Sequence, residues 1–297
     1  MSEFLRTRTN YPGGATKPQN YPELPEPLEL GSYDNHTHLE IADGETPISV
    51  SEHLELMRRV GMLGAVQVGV TLESSIWSAE VAKNEPMLLA AVAIHPNEAP
   101  RYKSKAELDE AISGIAELAS QPRVRAIGET GLDFFRTQGQ EALEMQQHSF
   151  EQHIKIAKEN NIALQIHDRE AHANVVETLK RVGAPDRTVF HCYSGDLELA
   201  EICEQNGWYL SFAGNLTFKK NQHLRDSLTS VSRSRLLIET DAPFLTPEPL
   251  RGRPNAPYLV PHTLRFMAKL LDIPEVDMAQ ILNDNTNRVY GLWSEGL

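Results

Sequence analysis

The sequence predicts an α/β fold of the (β/α)8 TIM-barrel type with an amino-terminal extension, and three observations lead to this prediction. Short apolar runs alternate with amphipathic stretches, a pattern typical of repeated βα units around a parallel sheet. Eight such units follow one another, and eight parallel strands with eight crossovers close most naturally into a barrel. The chain has 297 residues, so the part after residue 30 approaches the roughly 250 residues of a typical barrel.

An open doubly wound sheet is the alternative arrangement for such units. Its dinucleotide-binding form carries a GxGxxG turn after the first strand, and no such turn follows the first predicted strand here. Residues 1–30 contain five prolines and no periodic apolar pattern, so we expect an irregular extension that wraps the surface or is partly disordered. Residues 31–297 are therefore assigned to a single barrel domain.

Each unit is recognised by an apolar run that ends in polar residues and is followed by an amphipathic stretch. The predicted strands are residues 32–36, 65–70, 88–94, 124–128, 163–167, 188–191, 208–212 and 236–239. The predicted helices are residues 51–60, 74–83, 105–119, 140–160, 173–181, 197–206, 221–229 and 262–271. A last helix at residues 274–290 is expected to pack outside the ring of strands.

The balance of charge argues against one mode of nucleic-acid binding. With 28 basic and 41 acidic residues the chain has a formal charge of −13, which argues against a broad, sequence-independent grip on duplex phosphates, because that grip needs a basic face. A nucleic-acid substrate remains compatible with this charge, because two bound dications would offset about four charges at the place where a phosphate arrives.

The composition also indicates the compartment. No apolar run approaches the roughly 20 residues of a membrane span, and the basic first residues are not followed by the apolar stretch of a signal peptide. Only Cys192 and Cys203 are present, which are too few for a disulfide framework and suit a reducing compartment. We expect a cytoplasmic protein without membrane association, and nothing in the sequence predicts a stable protein partner.

The polar residues that end the predicted strands are the candidates for chemistry, because the active site of such a barrel lies at the carboxyl ends of its strands. His36 and His38 share one face of the first strand, since side chains alternate along an extended chain. Asp34 has the same parity and is expected to accept a ring N–H, or another bond that fixes the imidazoles. The complete set of strand-end residues is His36, His38, His95, Glu129, His167, His191 and Asp241.

This set predicts two divalent metal ions rather than one. His36, His38 and Asp241 would hold the first ion, His167 and His191 the second, and the remaining carboxylate, Glu129, would bridge both. Imidazole and carboxylate ligands suit Zn, Mn, Fe, Co or Ni, and Mg is the harder alternative that prefers oxygen alone. The alternative explanation is that these polar residues end their strands by chance and bind no metal.

The motifs around these residues resemble those of the TatD family of metal-dependent hydrolases, within the amidohydrolase superfamily of barrels. The similarity covers residues 32–297. It rests on seven motifs: DNHTH at 34–38, IHP at 94–96, GETGLD at 128–133, IHDREA at 166–171, HCYSG at 191–195, ETDAP at 239–243 and RGRPNAP at 251–257. Many amidohydrolase relatives bridge their metals with a carbamylated lysine on the fourth strand, whereas this chain has Glu129 there.

By this resemblance the family's metal ligands fall on the six residues reached from the strand ends, with His95 outside the ligand set. Those ligands are His36, His38, Glu129, His167, His191 and Asp241. The resemblance also implies DNase activity, usually 3′-to-5′ removal of nucleotides, and some members are associated with deacylation of D-aminoacyl-tRNA. The first 30 residues match no family pattern.

Further roles can be assigned to individual side chains. Asp241 is the candidate general base and Glu129 the bridging catalytic carboxylate. Arg169 and Arg251 are candidate phosphate anchors, because a guanidinium binds phosphate oxygens bidentately; surface ion pairs are the alternative. His95 is a candidate donor to a phosphate and Tyr193 a candidate stacking partner for a base, with packing as the alternative for both.

Two enzymatic functions and one non-enzymatic function follow from these residues. The leading prediction is a metal-dependent DNase, a 3′-to-5′ exonuclease whose substrate is the end of single-stranded DNA. The alternative is a metal-dependent ester or amide hydrolase such as a D-aminoacyl-tRNA deacylase. A catalytically inactive binding scaffold would lack at least one ligand, and no ligand is missing from this sequence. Glu239 is expected to orient a neighbouring group rather than to bind metal.

Overall fold

The computed structural model describes residues 6–7 and 19–294, and it confirms the (β/α)8 barrel. The eight parallel strands lie side by side in chain order. They are β1 (Ser32–Thr37), β2 (Met62–Val68), β3 (Leu88–Val92), β4 (Val124–Asp133), β5 (Ala163–Arg169), β6 (Thr188–Phe190), β7 (Tyr209–Phe212) and β8 (Leu236–Ile238). All eight predicted strands are present, and the largest difference is β4, which continues to Asp133 rather than ending at Gly128.

Helices alternate with these strands along the chain. They are α1 (Val50–Arg59), α2 (Leu72–Asn84), α3 (Lys105–Ala119), α4 (Gln140–Glu159), α5 (His172–Val182), α6 (Leu197–Asn206), α7 (Gln222–Ser230), α8 (Val260–Leu270) and α9 (Glu275–Tyr290). Side-chain caps explain several of the starts: Ser49, Thr71 and Ser104 each accept from a backbone N–H three residues later. Such caps each contribute about 1 kcal/mol. Among the described residues no helix combines the length and apolarity needed to cross a bilayer.

The barrel closes between β8 and β1, directly beneath the candidate site. The backbone N–H of Asp241 donates to the carbonyl of His36 at 2.9 Å, and that of His38 donates to the carbonyl of Ala242 at 2.8 Å. Asp241 has a φ of 53°, a left-handed conformation that is uncommon for residues other than glycine and clusters at functional sites. This seam therefore fixes His36, His38 and Asp241 relative to one another.

The lower half of the barrel is filled by small and branched side chains. This inner layer includes Val66, Leu89, Ala126 and Val189, together with residues from the carboxyl end of α9 and the segment after it. Trp293 donates from its indole nitrogen to the carbonyl of Met87. The last helix was expected to pack outside the ring; its end instead covers the floor of the barrel, because Val289 and Tyr290 belong to the inner layer.

Residues 19–31 lie against the barrel without helix or strand. Tyr258 donates from its hydroxyl to the carbonyl of Pro22 at 2.7 Å, Arg265 donates to the carbonyl of Pro27 at 3.2 Å, and Leu28 is buried in the core. Arg6–Thr7 pairs in parallel with Ile41–Ala42. The expectation for residues 1–5 and 8–18 lies outside the described residues.

Candidate metal centre

The carboxyl ends of the strands bring the six predicted ligands together in one cluster. Three lie inside β1, β4 and β5, and three follow the ends of β1, β6 and β8 within three residues. The first three are His36, Glu129 and His167, and the others are His38, His191 and Asp241. Only His167 and Asp241 of this set are partly exposed, so the cluster opens to solvent on their side.

His36 and His38 point their Nε2 atoms at each other across 3.2 Å. The Nδ1 atom of His38 lies 3.1 Å from the carbonyl oxygen of Val68, and that of His36 lies 3.0 Å from Oε1 of Gln165. Because carbonyl and amide oxygens only accept, each ring carries a proton on Nδ1 and presents an Nε2 lone pair. This is the arrangement of metal-binding imidazoles, in which the second nitrogen donates to a fixed acceptor.

The orientation of Gln165 follows from its other hydrogen bonds. Its Nε2 group donates to the carbonyl of Asn35 at 2.8 Å and to the hydroxyl of Tyr290 at 2.7 Å. Both amide hydrogens are therefore used, and Oε1 is left to accept from His36. Sequence reasoning missed Gln165, although its parity with His167 on β5 indicates the same inward face.

Two carboxylate oxygens complete a group of four donor atoms around His36 and His38. Oε2 of Glu129 lies 3.8 Å from both Nε2 atoms, and Oδ1 of Asp241 lies 3.9 Å from that of His36 and 3.6 Å from that of His38. Ligands about 2.1 Å from one tetrahedral ion lie about 3.4 Å from each other. The distances from each carboxylate oxygen to the two Nε2 atoms are therefore close to those of ligands on a shared ion, and His36, His38 and Glu129 form a group whose three donor atoms all lie within 4.8 Å of one another.

Glu129 divides its two oxygens between two groups of imidazoles. Oε2 faces His36 and His38, whereas Oε1 lies 2.5 Å from Nδ1 of His167 and 2.8 Å from Nε2 of His191. Burial raises the pKa of Glu129, but the surrounding imidazoles, His95 among them, lower it well below its ordinary value. The carboxylate is thus charged and faces imidazoles with both of its oxygens.

A carboxylate stands behind each imidazole of the second group. Nε2 of His167 lies 3.2 Å from Oδ2 of Asp133, and Nδ1 of His191 lies 3.1 Å from Oε1 of Glu239. Burial opposes protonation of His167, but Glu129 and Asp133 raise its pKa to about 9. The position therefore stabilises positive charge, as the donor set of a metal ion must. Glu239 orients His191, as expected, whereas Asp133 was not singled out.

His95 belongs to the cluster but differs from His36 and His38 in the position of its proton. Its Nδ1 atom accepts from the backbone N–H of Asn97 at 3.0 Å, so the neutral ring carries its hydrogen on Nε2. That atom lies 3.4 Å from Oε1 of Glu129. Burial lowers the pKa of His95, which favours this neutral donor form over a cation.

The expected position of Asp34 beneath the two imidazoles was wrong. Oδ1 accepts from the backbone N–H groups of His36 and Thr240, and Oδ2 accepts from the Thr240 hydroxyl. The register of β1 shifts between Asp34 and Thr37, which breaks the alternation assumed for an ideal strand. Asp34 therefore joins β1 to the segment after β8, and the ring nitrogens are held by Gln165 and Val68 instead.

The two arginines predicted to bind phosphate both lie on aromatic rings. The guanidinium of Arg169 lies 4.1 Å from the centre of the Phe135 ring, and that of Arg251 lies 4.3 Å from the centre of the Phe218 ring. Within the described part of the chain neither forms an ion pair with a carboxylate. The alternative of surface ion pairs is thus not observed, and their N–H groups are not held by acids.

The structure contradicts a base-stacking role for Tyr193. The side chain is only 1% exposed, its ring packs 5.6 Å from that of Phe212, and its hydroxyl donates to the carbonyl of Asp196. Tyr193, two residues after the predicted ligand His191, turns into the core rather than toward the mouth. Packing, the alternative for this residue, is what the structure shows.

Comparison with known proteins agrees with this geometry. The sequence profile of the family described as TatD related DNase matches residues 33–291. A Mycobacterium tuberculosis protein named "Uncharacterized metal-dependent hydrolase TatD" is 37% identical, with 87% of this chain and 97% of that protein covered. A protein of Escherichia fergusonii named "3'-5' ssDNA/RNA exonuclease TatD" is 31% identical, with 78% and 89% covered.

A solved structure supports the same relationship. The crystal structure of YJJV, a TatD homologue from Escherichia coli, superposes with a TM-score of 0.78 at 26% identity and covers 88% of this chain and 98% of its own. Profile, relatives and fold all extend over the barrel that carries the cluster. The chain therefore belongs to the TatD DNase family and is a hydrolase that depends on divalent metal.

Proposed function

We propose that the protein is a metal-dependent DNase, a 3′-to-5′ exonuclease that acts on single-stranded DNA ends. The observation that carries this proposal is the position of Arg169. It lies two residues beyond His167 on the same face of β5, about 7 Å further toward the mouth. A guanidinium without an acid partner beside a metal centre suits a substrate phosphate, which it can bind bidentately. The exonuclease name of a relative that is 31% identical supports the same substrate class.

We propose two divalent ions for this site because the donor atoms fall into two groups. His36, His38 and Asp241 would hold one ion, His167 and His191 the other, and the carboxylate of Glu129 would bridge them. Zn, Mn, Fe, Co and Ni suit this mixture of nitrogen and oxygen donors better than Mg. When bound, such ions polarise the attacked phosphate and lower the pKa of water.

The side chains of the site would then supply proton transfer and orientation. Asp241 has a partly exposed carboxylate, 15% accessible, on the open side of the cluster. We propose that Asp241 accepts a proton from the attacking water. It then donates this proton to the leaving 3′ oxygen of the shortened strand. Asn97 fixes the tautomer of His95, so the Nε2–H, which lies 3.4 Å from Oε1 of Glu129, would be the donor to a phosphate oxygen.

The preference for strand ends rests on shape and charge. The cluster lies inside the carboxyl end of the barrel, where the βα loops surround it and admit a single strand more easily than a duplex. The formal charge of −13 argues against a broad basic surface that would hold a duplex. Substrate capture would therefore depend on the metal centre and on Arg169 and Arg251.

The experiment compares three DNA substrates with metal-reconstituted protein. A 5′-labelled single strand with a free 3′ end should be shortened stepwise, the same strand with a blocked 3′ end should persist, and closed circular plasmid should remain closed. Glu129→Gln should degrade none of them. Rapid linearisation of the plasmid, without preference for the free 3′ end, would contradict the proposal.

A further inference from the structure

Phe135 exposes its ring at the mouth of the barrel. Its side chain is 52% accessible, which makes it one of five large apolar residues with substantial exposure in the described chain. A single exposed apolar side chain is ordinary. Phe135 is distinguished by its link to the metal centre, because its backbone bonds a carboxylate that also contacts a predicted ligand.

That connection runs through Asp133. Oδ1 of Asp133 accepts from the backbone N–H of Phe135 at 3.0 Å, while Oδ2 lies 3.2 Å from Nε2 of His167. The neighbouring Phe134 donates from its backbone to the carbonyl of Arg169 at 3.0 Å. The base of the Phe135 side chain is therefore fixed relative to the donor atoms of the cluster.

The guanidinium of Arg169 lies 4.1 Å from the centre of the Phe135 ring. This places a cation on part of the ring, in contact distance for a cation–π interaction, while half of the side chain still faces solvent. Arg169 in turn projects from β5 about 7 Å beyond His167. The aromatic ring of Phe135 and the guanidinium of Arg169, the candidate phosphate anchor, thus lie side by side on the mouth side of the metal centre.

We propose that Phe135 and Arg169 form a stacking subsite for a nucleobase of the single strand whose phosphodiester lies at the metal centre. The subsite rests on the proposed nuclease function and names the part of the substrate that it binds. Stacking on the ring would hold the base, and Arg169 would contact the adjoining phosphate. The role assigned from sequence to the buried Tyr193 passes to Phe135, whose ring is accessible.

The chemistry of the subsite predicts binding without base preference. Every nucleobase has a π face, and the neighbouring donor, Arg169, is assigned to the phosphate, so stacking on the ring does not distinguish one base from another. Loss of one stacked base typically weakens binding about 5- to 150-fold. The subsite therefore predicts a dependence on the presence of a base rather than on its identity.

The test is a double-mutant cycle between protein and DNA, with metal-reconstituted protein and kcat and KM measured separately. One single strand carries normal bases throughout. Three others each carry one abasic residue, at the first, second or third position from the 3′ end. The proteins are wild type, Phe135→Leu, Phe135→Trp and the control Ile76→Ala, which removes an equally exposed apolar side chain from α2. Because Phe135 is half exposed, the leucine variant should retain the fold.

At one of the three positions, removal of the base should lower kcat/KM at least about 5-fold, chiefly through KM. This loss is expected for wild type, Phe135→Trp and Ile76→Ala. Phe135→Leu should already be weakened on the normal strand and insensitive to removal of that base. Equal abasic penalties in wild type and Phe135→Leu at all three positions would overturn the subsite while leaving the nuclease function intact. A wild-type protein that shortens neither strand would refute the nuclease function, and the subsite with it.

Discussion

The Nδ1 atom of His36 donates to Oε1 of Gln165 at 3.0 Å in the floor of the metal centre. This bond fixes which nitrogen of His36 faces the other donor atoms. Gln165 is itself fixed by Asn35 and by Tyr290, a residue of the carboxyl-terminal helix. The orientation of one candidate ligand thus depends on a contact between the barrel interior and the last helix of the chain.

Gln165→Leu should lower metal affinity about 10- to 100-fold, the usual cost of removing a group that orients a metal ligand. The substitution leaves the buried Nδ1–H of His36 without an acceptor, which also costs about 1–3 kcal/mol of stability. Competition with a calibrated chelator measures the affinity directly. Gln280→Leu is the matched control, at an exposed position of α9 where the side chain donates to Asp284. Equal affinities in the two variants would exclude the orienting role.

Asp241→Asn should reduce kcat by about 100-fold or more, because it removes a proton acceptor worth about 10²–10⁴-fold in rate together with a negative charge of the donor set. The asparagine keeps the shape of the side chain, so the fold should be retained. Single-turnover cleavage of a labelled strand, with bound metal measured in the same sample, separates the two causes. Full activity at full metal occupancy would rule out Asp241 as the base.

Arg169→Ala should act differently, by raising KM more than it lowers kcat. A phosphate anchor is engaged before and during the chemical step, so its loss appears mainly as weaker binding. Arg169→Lys retains charge without the bidentate geometry and should recover only part of the loss. Unchanged kcat and KM in Arg169→Ala would withdraw its contact with substrate.

The burial of His153 predicts that the free energy of unfolding falls in acid, independently of the metal. This buried ring on α4 donates from Nδ1 to the carbonyl of Ser149 and accepts at Nε2 from the backbone N–H of Ile94. Burial lowers its pKa from 6.5 to about 4. The unfolded chain therefore binds a proton that the folded chain does not, and stability present above pH 6.5 is lost as the pH falls toward 4.

For one such group the loss between pH 7 and pH 5 is about 2 kcal/mol. Urea unfolding of chelated protein at the two pH values should show a smaller loss for His153→Gln than for wild type, by about that amount. His223→Gln, on the exposed face of α7, should behave like wild type. The same loss in all three proteins would show that His153 does not cause the effect.

The sequence predicted the fold and the membership of the cluster because both follow from simple periodic patterns. Apolar runs marked all eight strands, and the barrel geometry then placed six strand-end residues on one face. Asp34 was misplaced because a register shift in β1 cannot be read from alternation. Asp133 was missed because β4 runs five residues beyond its predicted end, through the register shift between Ile127 and Thr130.

Contacts that depend on packing between distant segments were also out of reach. The hydrogen bond between Gln165 and Tyr290 joins residues 125 positions apart, and no local sequence pattern predicts it. The proton position on His95 depends on a backbone N–H two residues later, which only the loop conformation reveals. Tyr193 and Phe135 show the same limit, since loop residues have no periodicity that tells which of them faces the mouth.

The most direct test of this account offers two substrates to the same metal-reconstituted protein: 5′-labelled single-stranded DNA and D-aminoacyl-tRNA. A phosphodiester centre served by Glu129, Asp241 and Arg169 predicts stepwise loss of nucleotides from the DNA, dependence on added divalent metal, and no release of the D-amino acid above background. Glu129→Gln should lose the DNA activity. Metal-dependent deacylation of the tRNA with the DNA left intact would contradict the account and assign the centre to ester hydrolysis.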